Sequence, residues 1–302
     1  MARGLPLVAL AALIWGTTGT TLELIGATSA TDALLVGAIR MVVAAPLLLA
    51  VLFAKRERPK VGGWAFVVAG VCMAAYQVCY FSAVPLAGVA ATALLAICSA
   101  PILVAVLAYL LLGEVLTGTR VLALVLGVGG AGLLLVGTGA QVEANFGLGA
   151  LLALGAGLTY SLYAVVTKRS LGERQPLTLS ALTFGVAGLA LAPLLGWRWT
   201  ETVALIGRGG LQLLYLGAIA TAGAYWLYAS ALRTTPAGAV VVVGLLEPLV
   251  ATLLGVFLFH ERLGPAGIAG GVLLVVAVLL LGWIPSGGTS TASAGRIRAC
   301  SE

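Results

Sequence analysis

The chain has 302 residues, of which 61% are hydrophobic and only 9% are charged, and its formal net charge is +6. Soluble domains carry roughly a quarter charged residues, so this composition excludes a water-soluble globule. The basic excess lacks the aromatic-interleaved basic patch that is typical of nucleic-acid binding, and we predict no nucleic-acid partner.

Ten apolar stretches follow one another along the chain, each close to the about 20 residues that a bilayer-spanning helix needs. Charged, proline or glycine residues mark the breaks between them. The least marked breaks are 85–88 and 234–237. In chain order, the predicted spans are 5–25, 33–53, 64–84, 88–111, 119–138, 147–167, 177–196, 211–232, 237–258 and 264–284. We therefore predict an all-α membrane protein with ten transmembrane helices, followed by a disordered cytoplasmic tail over 286–302.

If the chain crosses the membrane ten times, most of its basic residues fall on one side of the membrane. With the first residue in the cytoplasm, twelve Lys and Arg residues fall on the inner side, three fall on the outer side, and Arg40 lies within the second span. Lys and Arg collect in the short cytoplasmic loops of membrane proteins. We therefore predict a multi-pass protein of the plasma membrane, the inner membrane in a bacterium, with both termini cytoplasmic.

The two halves of the chain, 1–140 and 141–285, carry matching residues in the same order. Trp15 matches Tyr160 at an offset of 145, Tyr80 matches Tyr228 at 148, and Pro101 matches Pro248 at 147. Each half holds five spans, an odd number, so the second half enters the membrane from the opposite side. Many secondary transporters are such inverted repeats, with the substrate site near the midplane between them. We predict two inverted five-helix repeats and favour transport.

Characteristic residues and short motifs lie within several of the predicted spans or at their ends. They are Trp15-Gly16, Arg40, Ser99-Ala100-Pro101 with Gly113-Glu114, and Leu246-Glu247-Pro248 with His260-Glu261. With these motifs, residues 5–284 resemble the drug/metabolite transporter superfamily, in its ten-helix form built from two EamA domains; His260 stands where that family commonly has glycine. The resemblance implies export of amino acids and other small metabolites without a bound cofactor.

Aromatic and weakly polar side chains lie at helical spacing near the middle of several spans, away from the interface where Tyr and Trp usually collect. A buried hydroxyl or indole N–H needs a partner, either across a helix contact or in a wet cavity. Both readings stay open for each residue. The predicted substrate-binding residues are Trp15, Thr18, Tyr76, Gln77, Tyr80, Ser99, Tyr160, Tyr163, Tyr225 and Tyr228.

Four further residues are predicted to serve gating or coupling. Pro101 and Pro248 each remove a helix hydrogen bond, which predicts a kink that either gates or is a static bend. Glu247 lies deep in a span, where an unpaired charge costs at least ~2.5–3.5 kcal/mol. It is a candidate for proton coupling or for a structural hydrogen bond. Arg40 can pair with Glu247 or bind a substrate carboxylate.

The leading hypothesis is a secondary exporter of amino acids, with aromatic and other neutral ones among the candidate substrates, that works by alternating access through a central cavity. The alternative is a lipid or isoprenoid flippase. A membrane-embedded enzyme is less favoured, because the chain lacks an intramembrane Ser/His pair or a zinc-binding set. The expected partners are a small-molecule substrate and membrane lipid, with a monomer favoured over a dimer.

Overall fold

The computed structural model describes residues 4–26, 29–56, 63–136, 146–172, 174–260 and 263–282, and these fold into helices joined by short turns. The predicted tail, 286–302, and Glu261 lie outside the described residues. The helices are α1 (Leu5–Ile25), α2 (Ala30–Ala54), α3 (Ala65–Ala87), α4 (Val89–Leu112), α5 (Gly118–Val136), α6 (Phe146–Ser170), α7 (Pro176–Trp197), α8 (Trp199–Gly217), α9 (Ala224–Thr234), α10 (Ala237–Gly244), α11 (Leu246–Phe259) and α12 (Pro265–Gly282).

Ten helical units among the described residues are long and apolar enough to cross a membrane, as predicted. The helices α8 and α9 form the eighth unit with a π-helical segment, Ala218–Gly223, between them. The helices α10 and α11 form the ninth. Both weakly marked breaks are confirmed: Gly88, with φ +82°, separates α3 from α4, and Thr235-Pro236 separates α9 from α10.

The start of the eighth span differs from the prediction. A span beginning at residue 211 was predicted, but α8 begins at Trp199 and bends at Gly209, where the backbone is not helical. The first part of α8 is amphipathic, with Thr202 and Leu205 buried and Val203 exposed. Because this part of α8 carries charged residues, it was predicted to lie outside the spans. A helix with one apolar face can nevertheless pack on the bundle and leave its polar face outside.

The ninth span is interrupted near its middle. The Leu245 N–H donates to the carbonyl of Val242, three residues earlier, at 3.1 Å, and α11 then begins at Leu246. Pro248 cannot donate to the Gly244 carbonyl, which explains the break. Pro101, its match in the first half, lies within the uninterrupted helix α4. The predicted kink therefore takes the form of a break in one half only.

Close glycine contacts join the two halves in a reciprocal way. A Cβ on Gly70 would lie 2.6 Å from the Thr183 carbonyl oxygen, and a Cβ on Gly217 would lie 3.5 Å from the Arg40 carbonyl oxygen. Gly70 and Arg40 belong to the first half, and Thr183 and Gly217 belong to the second. Both contacts therefore join a helix of one half to a helix of the other. The opposite orientation of the two halves across the membrane stays a prediction.

The fifth and tenth spans meet through their glycines. A Cβ on Gly130 would lie 2.7 Å from the Gly270 carbonyl oxygen, and a Cβ on Gly270 would lie 2.5 Å from the Gly130 carbonyl oxygen. Only residues without side chains allow two helix backbones to approach so closely. These small residues therefore pack α5 against α12 within one chain.

Candidate functional site

A cavity of about 510 Å³ lies among the helices of both halves. It extends from mid-depth, at Trp15 and Tyr160, to the end of the bundle where α1 finishes, at Glu23 and Ser29. Eleven of the residues predicted to bind substrate or to gate lie in its wall: Trp15, Thr18, Arg40, Tyr76, Gln77, Tyr80, Pro101, Tyr160, Tyr225, Glu247 and Pro248.

Three predicted substrate-binding residues lie outside the cavity wall. Tyr163 and Tyr228 are fully buried, with ring centroids 6.3 Å apart and nearly parallel planes. Each lies about one helical turn beyond a lining residue, Tyr160 or Tyr225, so the pair forms the floor of the cavity. Ser99 donates to the Ala96 carbonyl at 3.3 Å and faces the contact between α4 and α6. Spacing placed the tyrosines on the right faces but at the wrong depth.

The aromatic rings form one continuous wall that belongs to both halves. The ring centroids of Trp15 and Tyr225 are 4.8 Å apart, those of Tyr76 and Tyr160 are 5.6 Å apart, and those of Tyr76 and Tyr80 are 5.8 Å apart. Such tilted pairs add about 0.5–1.5 kcal/mol each beyond the burial of their area. The wall is therefore a fixed surface on which an apolar or cationic group can lie.

The π-helical segment holds two of the lining residues in place. Trp15 donates from Nε1 to the Ala220 carbonyl at 3.0 Å, and Arg40 donates from Nε to Thr221 Oγ1 at 2.8 Å. The Thr221 hydroxyl donates its only proton to the Leu216 carbonyl, at 2.8 Å, so towards Arg40 it can act only as an acceptor. Single π turns inside α-helices occur frequently at functional sites. Here the segment orients the guanidinium group towards the cavity.

Glu247 lies in the first turn of α11, directly after the break at Leu245. The first turn of a helix carries free N–H groups and a partial positive charge, which stabilise a carboxylate. The break therefore provides a favourable position for an acidic residue at mid-depth. Gly16 packs at the same level, since a Cβ there would lie 3.0 Å from the Glu247 carbonyl oxygen.

Arg40 and Glu247 share the cavity but do not pair with each other. Within the described ranges, the ion pairs closer than 4.0 Å are those of Arg198 with Glu201 and of Arg208 with Asp32. The predicted pairing of Arg40 with Glu247 is therefore not present in this conformation. Both groups face the same cavity, so each can bind a group of the solute.

Gln77 adds an unused donor beside Arg40. Its side chain is 1% exposed and lies in the cavity wall, and its Nε2 has no hydrogen-bond partner among the described residues. Gly37, one helical turn before Arg40, packs closely against the Gln77 side chain, which places the amide near the guanidinium group. A buried donor without a partner costs about 1–3 kcal/mol, which a solute or water at this point would recover.

The two prolines each release a carbonyl at the cavity. Pro101 cannot donate to the Ile97 carbonyl, and Pro248 cannot donate to the Gly244 carbonyl. Both Ile97 and Gly244 lie in the cavity wall. The matched prolines thus supply matched acceptors from the two halves.

Several lining residues were not predicted from the sequence, and Glu23 is the charged one among them. It lies in the last turn of α1, seven residues after Gly16, on the face that carries Trp15 and Gly19. Its helical spacing from Trp15 was a signal that could have identified it. Phe81 and Thr252 also line the cavity, but nothing in their sequence context distinguishes them from packing residues.

The other end of the bundle is closed. Lys168 donates from Nζ to the Leu232 carbonyl at 2.5 Å and to the Thr235 carbonyl at 2.7 Å, which caps the C-terminus of α9. The Ala237 N–H donates to Glu114 Oε1 at 2.8 Å, which caps the N-terminus of α10. An ammonium group and a carboxylate thus hold the turn between the two helices, where each complements a helix dipole.

A bundle of ten spans that surrounds a polar and aromatic cavity, open towards one end and closed at the other, is the architecture of a membrane transporter. The sequence profile of the EamA-like transporter family matches residues 2–136 and 147–283, one half of the chain each. The chain belongs to this family, which confirms the resemblance drawn from its motifs.

The chain is also similar over most of its length to individual bacterial proteins. It is 37% identical over 280 residues to the uncharacterized transporter YwfM of Bacillus subtilis, covering 92% of this chain and 93% of that protein. It is 34% identical over 259 residues to the uncharacterized protein PA1977 of Pseudomonas aeruginosa, covering 82% and 86%. A solved crystal structure superposes with a TM-score of 0.77 over 93% of this chain and 96% of that chain; at 20% identity this likeness shows the fold alone.

Proposed function

We propose that the protein is a secondary transporter that exports amino acids and related small metabolites across the plasma membrane by alternating access through the central cavity. The observation that carries this proposal is the set of polar groups that face the cavity at mid-depth. Arg40 and Gln77 offer donors to a carboxylate, and Glu247 offers an acceptor to an ammonium group. A zwitterion presents both of these groups, and the aromatic wall beside them suits its side chain.

The burial of Arg40 supports the same proposal. Its side chain is 8% exposed, a guanidinium group stays charged in proteins, and a charge at mid-membrane is retained where it binds a solute or an ion. The Nε–H is used by Thr221, which leaves the two terminal nitrogens for a planar acceptor. A solute carboxylate matches that fork of donors.

The predicted orientation assigns a side of the membrane to each end of the cavity. With both termini cytoplasmic, the open end of the cavity faces the exterior and the end capped by Lys168 faces the cytoplasm. This conformation then corresponds to the one that releases solute outside. The opposite conformation would open the end at Lys168 and load solute from the cytoplasm.

The test is efflux of labelled amino acids from proteoliposomes or from cells that express the chain. We expect R40Q and E247Q each to lower efflux by at least ~10-fold, the loss expected for one charged hydrogen bond. R198Q is the matched control, because Arg198 is exposed and pairs with Glu201 outside the cavity. If no amino acid accumulates differently with and without the protein, the proposal fails. Movement of labelled lipid between leaflets instead would favour a flippase.

A further inference from the structure

The charges in the cavity wall do not balance. The wall contains two carboxylates, Glu23 and Glu247, and one guanidinium group, that of Arg40. If Arg40 and Glu247 bind the two charged groups of a zwitterion, one carboxylate is left over. That carboxylate belongs to Glu23, at the open end.

Glu23 has no partner of its own in the described part of the chain. No hydrogen bond or ion pair to its carboxylate is formed there, and its side chain is exposed within the cavity opening. Arg208, a basic residue at the same end of the bundle, is occupied by Asp32, with Nη2 and Oδ1 3.2 Å apart. The Glu23 carboxylate is therefore available to a cation that enters the cavity.

The separation of the two carboxylates sets the length of solute that can reach both. Glu23 follows Gly16 by seven residues, or about 10 Å along the helix, and the backbone carbonyl of Glu247 packs at the level of Gly16. A basic amino acid places its two ammonium groups roughly 6–7 Å apart when extended. A charge-assisted hydrogen bond of about 2.8 Å at each end gives a total reach of about 12 Å, so an extended basic amino acid can span this axial distance.

The surface between the two carboxylates suits the body of such a solute. Tyr80 lies one helical turn from Tyr76 towards the open end, and Phe81 packs on it with ring centroids 5.4 Å apart. All three residues line the cavity. Aliphatic methylene groups can lie on these rings, and the ring faces attract a terminal cation.

We propose that Glu23 determines specificity for solutes with a second cationic group, so that the preferred substrates are basic amino acids and similar diamino acids. This inference rests on the proposed function, since it places the α-amino and carboxyl groups at Glu247 and Arg40. The terminal ammonium or guanidinium group then binds the Glu23 carboxylate. Neutral amino acids of the same shape bind without this last contact.

The experiment compares L-lysine with L-norleucine, which has the same carbon skeleton without the terminal ammonium group. Binding of each is measured on the purified full-length protein, by calorimetry or by the shift in Tm at a series of concentrations. We expect the wild type to bind L-lysine at least ~10-fold more tightly, the effect of one charged contact in a partly desolvated site. We expect E23Q to lower lysine affinity to about that of norleucine.

E201Q is the matched control, because Glu201 is an exposed carboxylate that pairs with Arg198 outside the cavity. It should leave the lysine preference at its wild-type value. A lysine-to-norleucine ratio that is unchanged in E23Q would overturn the role of Glu23 and leave the proposed function in place. If neither amino acid binds the wild type, the role of Glu23 is overturned, and the efflux assay with the other amino acids decides the proposed function.

Discussion

At the end of the bundle where α1 begins, Lys168 caps the carbonyls of Leu232 and Thr235. At the other end, the residue that matches Lys168 at an offset of 145 is Glu23, and it lies unpaired at the cavity opening. The residue that matches Leu232 is Val84, which also lines the cavity. The same position of the two halves therefore carries a positive charge at the closed end, on Lys168, and a negative charge at the open end, on Glu23.

One glycine contact recurs at both ends. A Cβ on Gly4 would meet Thr235 and Ala231, and a Cβ on the matched Gly149 would meet Ala87, which matches Thr235. Beside this shared contact, the two ends differ in the charge carried by Lys168 and Glu23. An ammonium group complements the carbonyls at a helix C-terminus, whereas a carboxylate is repelled by them. A single change of charge between two copies of one framework can decide which end stays closed.

The largest effect is expected from removing the ammonium group at the closed end. K168M leaves the Leu232 and Thr235 carbonyls without their donor, so the closed end should open more often. In a background without the native cysteines, A231C reports this opening, because Ala231 is fully buried there. We expect labelling by a membrane-impermeant maleimide to accelerate by ~10-fold, the effect of one charged hydrogen bond. K168R should label slowly, and equal rates in K168M and the wild type would contradict the role of Lys168.

A smaller effect is expected from the second cap at that end. E114A removes the acceptor of the Ala237 N–H and should accelerate A231C labelling by about 5-fold, which corresponds to an N-cap of about 1 kcal/mol. E114Q keeps an oxygen that can accept this hydrogen bond. If E114A and E114Q label at the same rate, Glu114 does not act as a cap.

The smallest effect is expected from copying the closed end onto the open one. E23K places an ammonium group near the C-terminus of α3, as Lys168 is placed near that of α9. We expect a cysteine at Ala33, in the wall near the opening, to be labelled about 3-fold more slowly, a typical charge and helix-dipole effect. E23M is the control, because it removes the carboxylate without adding an ammonium group and keeps a long side chain. Faster labelling in E23K than in E23M would contradict the comparison of the two ends.

Hydropathy was sufficient to predict the ten spans, because the length of an apolar helix is fixed by the bilayer. It failed at residues 199–208, where Glu201 and Arg208 lowered the local hydropathy although one face of the helix packs on the bundle. The π-helical segment could not be predicted, because it depends on contacts with Trp15 and Arg40 from distant helices.

The cavity could be predicted in outline but not in depth. Helical spacing identifies which side chains share a face, and Trp15, Tyr76 and Tyr225 do line the cavity. It does not say where along that face the cavity ends, so Tyr163 was assigned to the wall although it lies in the floor. Glu23 was overlooked for the complementary reason: a charge near the end of a span resembles an ordinary interfacial residue.

The contact between Gly130 and Gly270 bears on how the two halves can move. The backbones of α5 and α12 are in direct contact there. No interlocking side chains at this point therefore have to rearrange when the angle between the two helices changes. The pair can therefore act as a pivot, with little resistance of its own to rotation. The equilibrium between the outward-open and the inward-open conformation then depends on contacts far from this pair, such as the helix caps formed by Lys168 and Glu114.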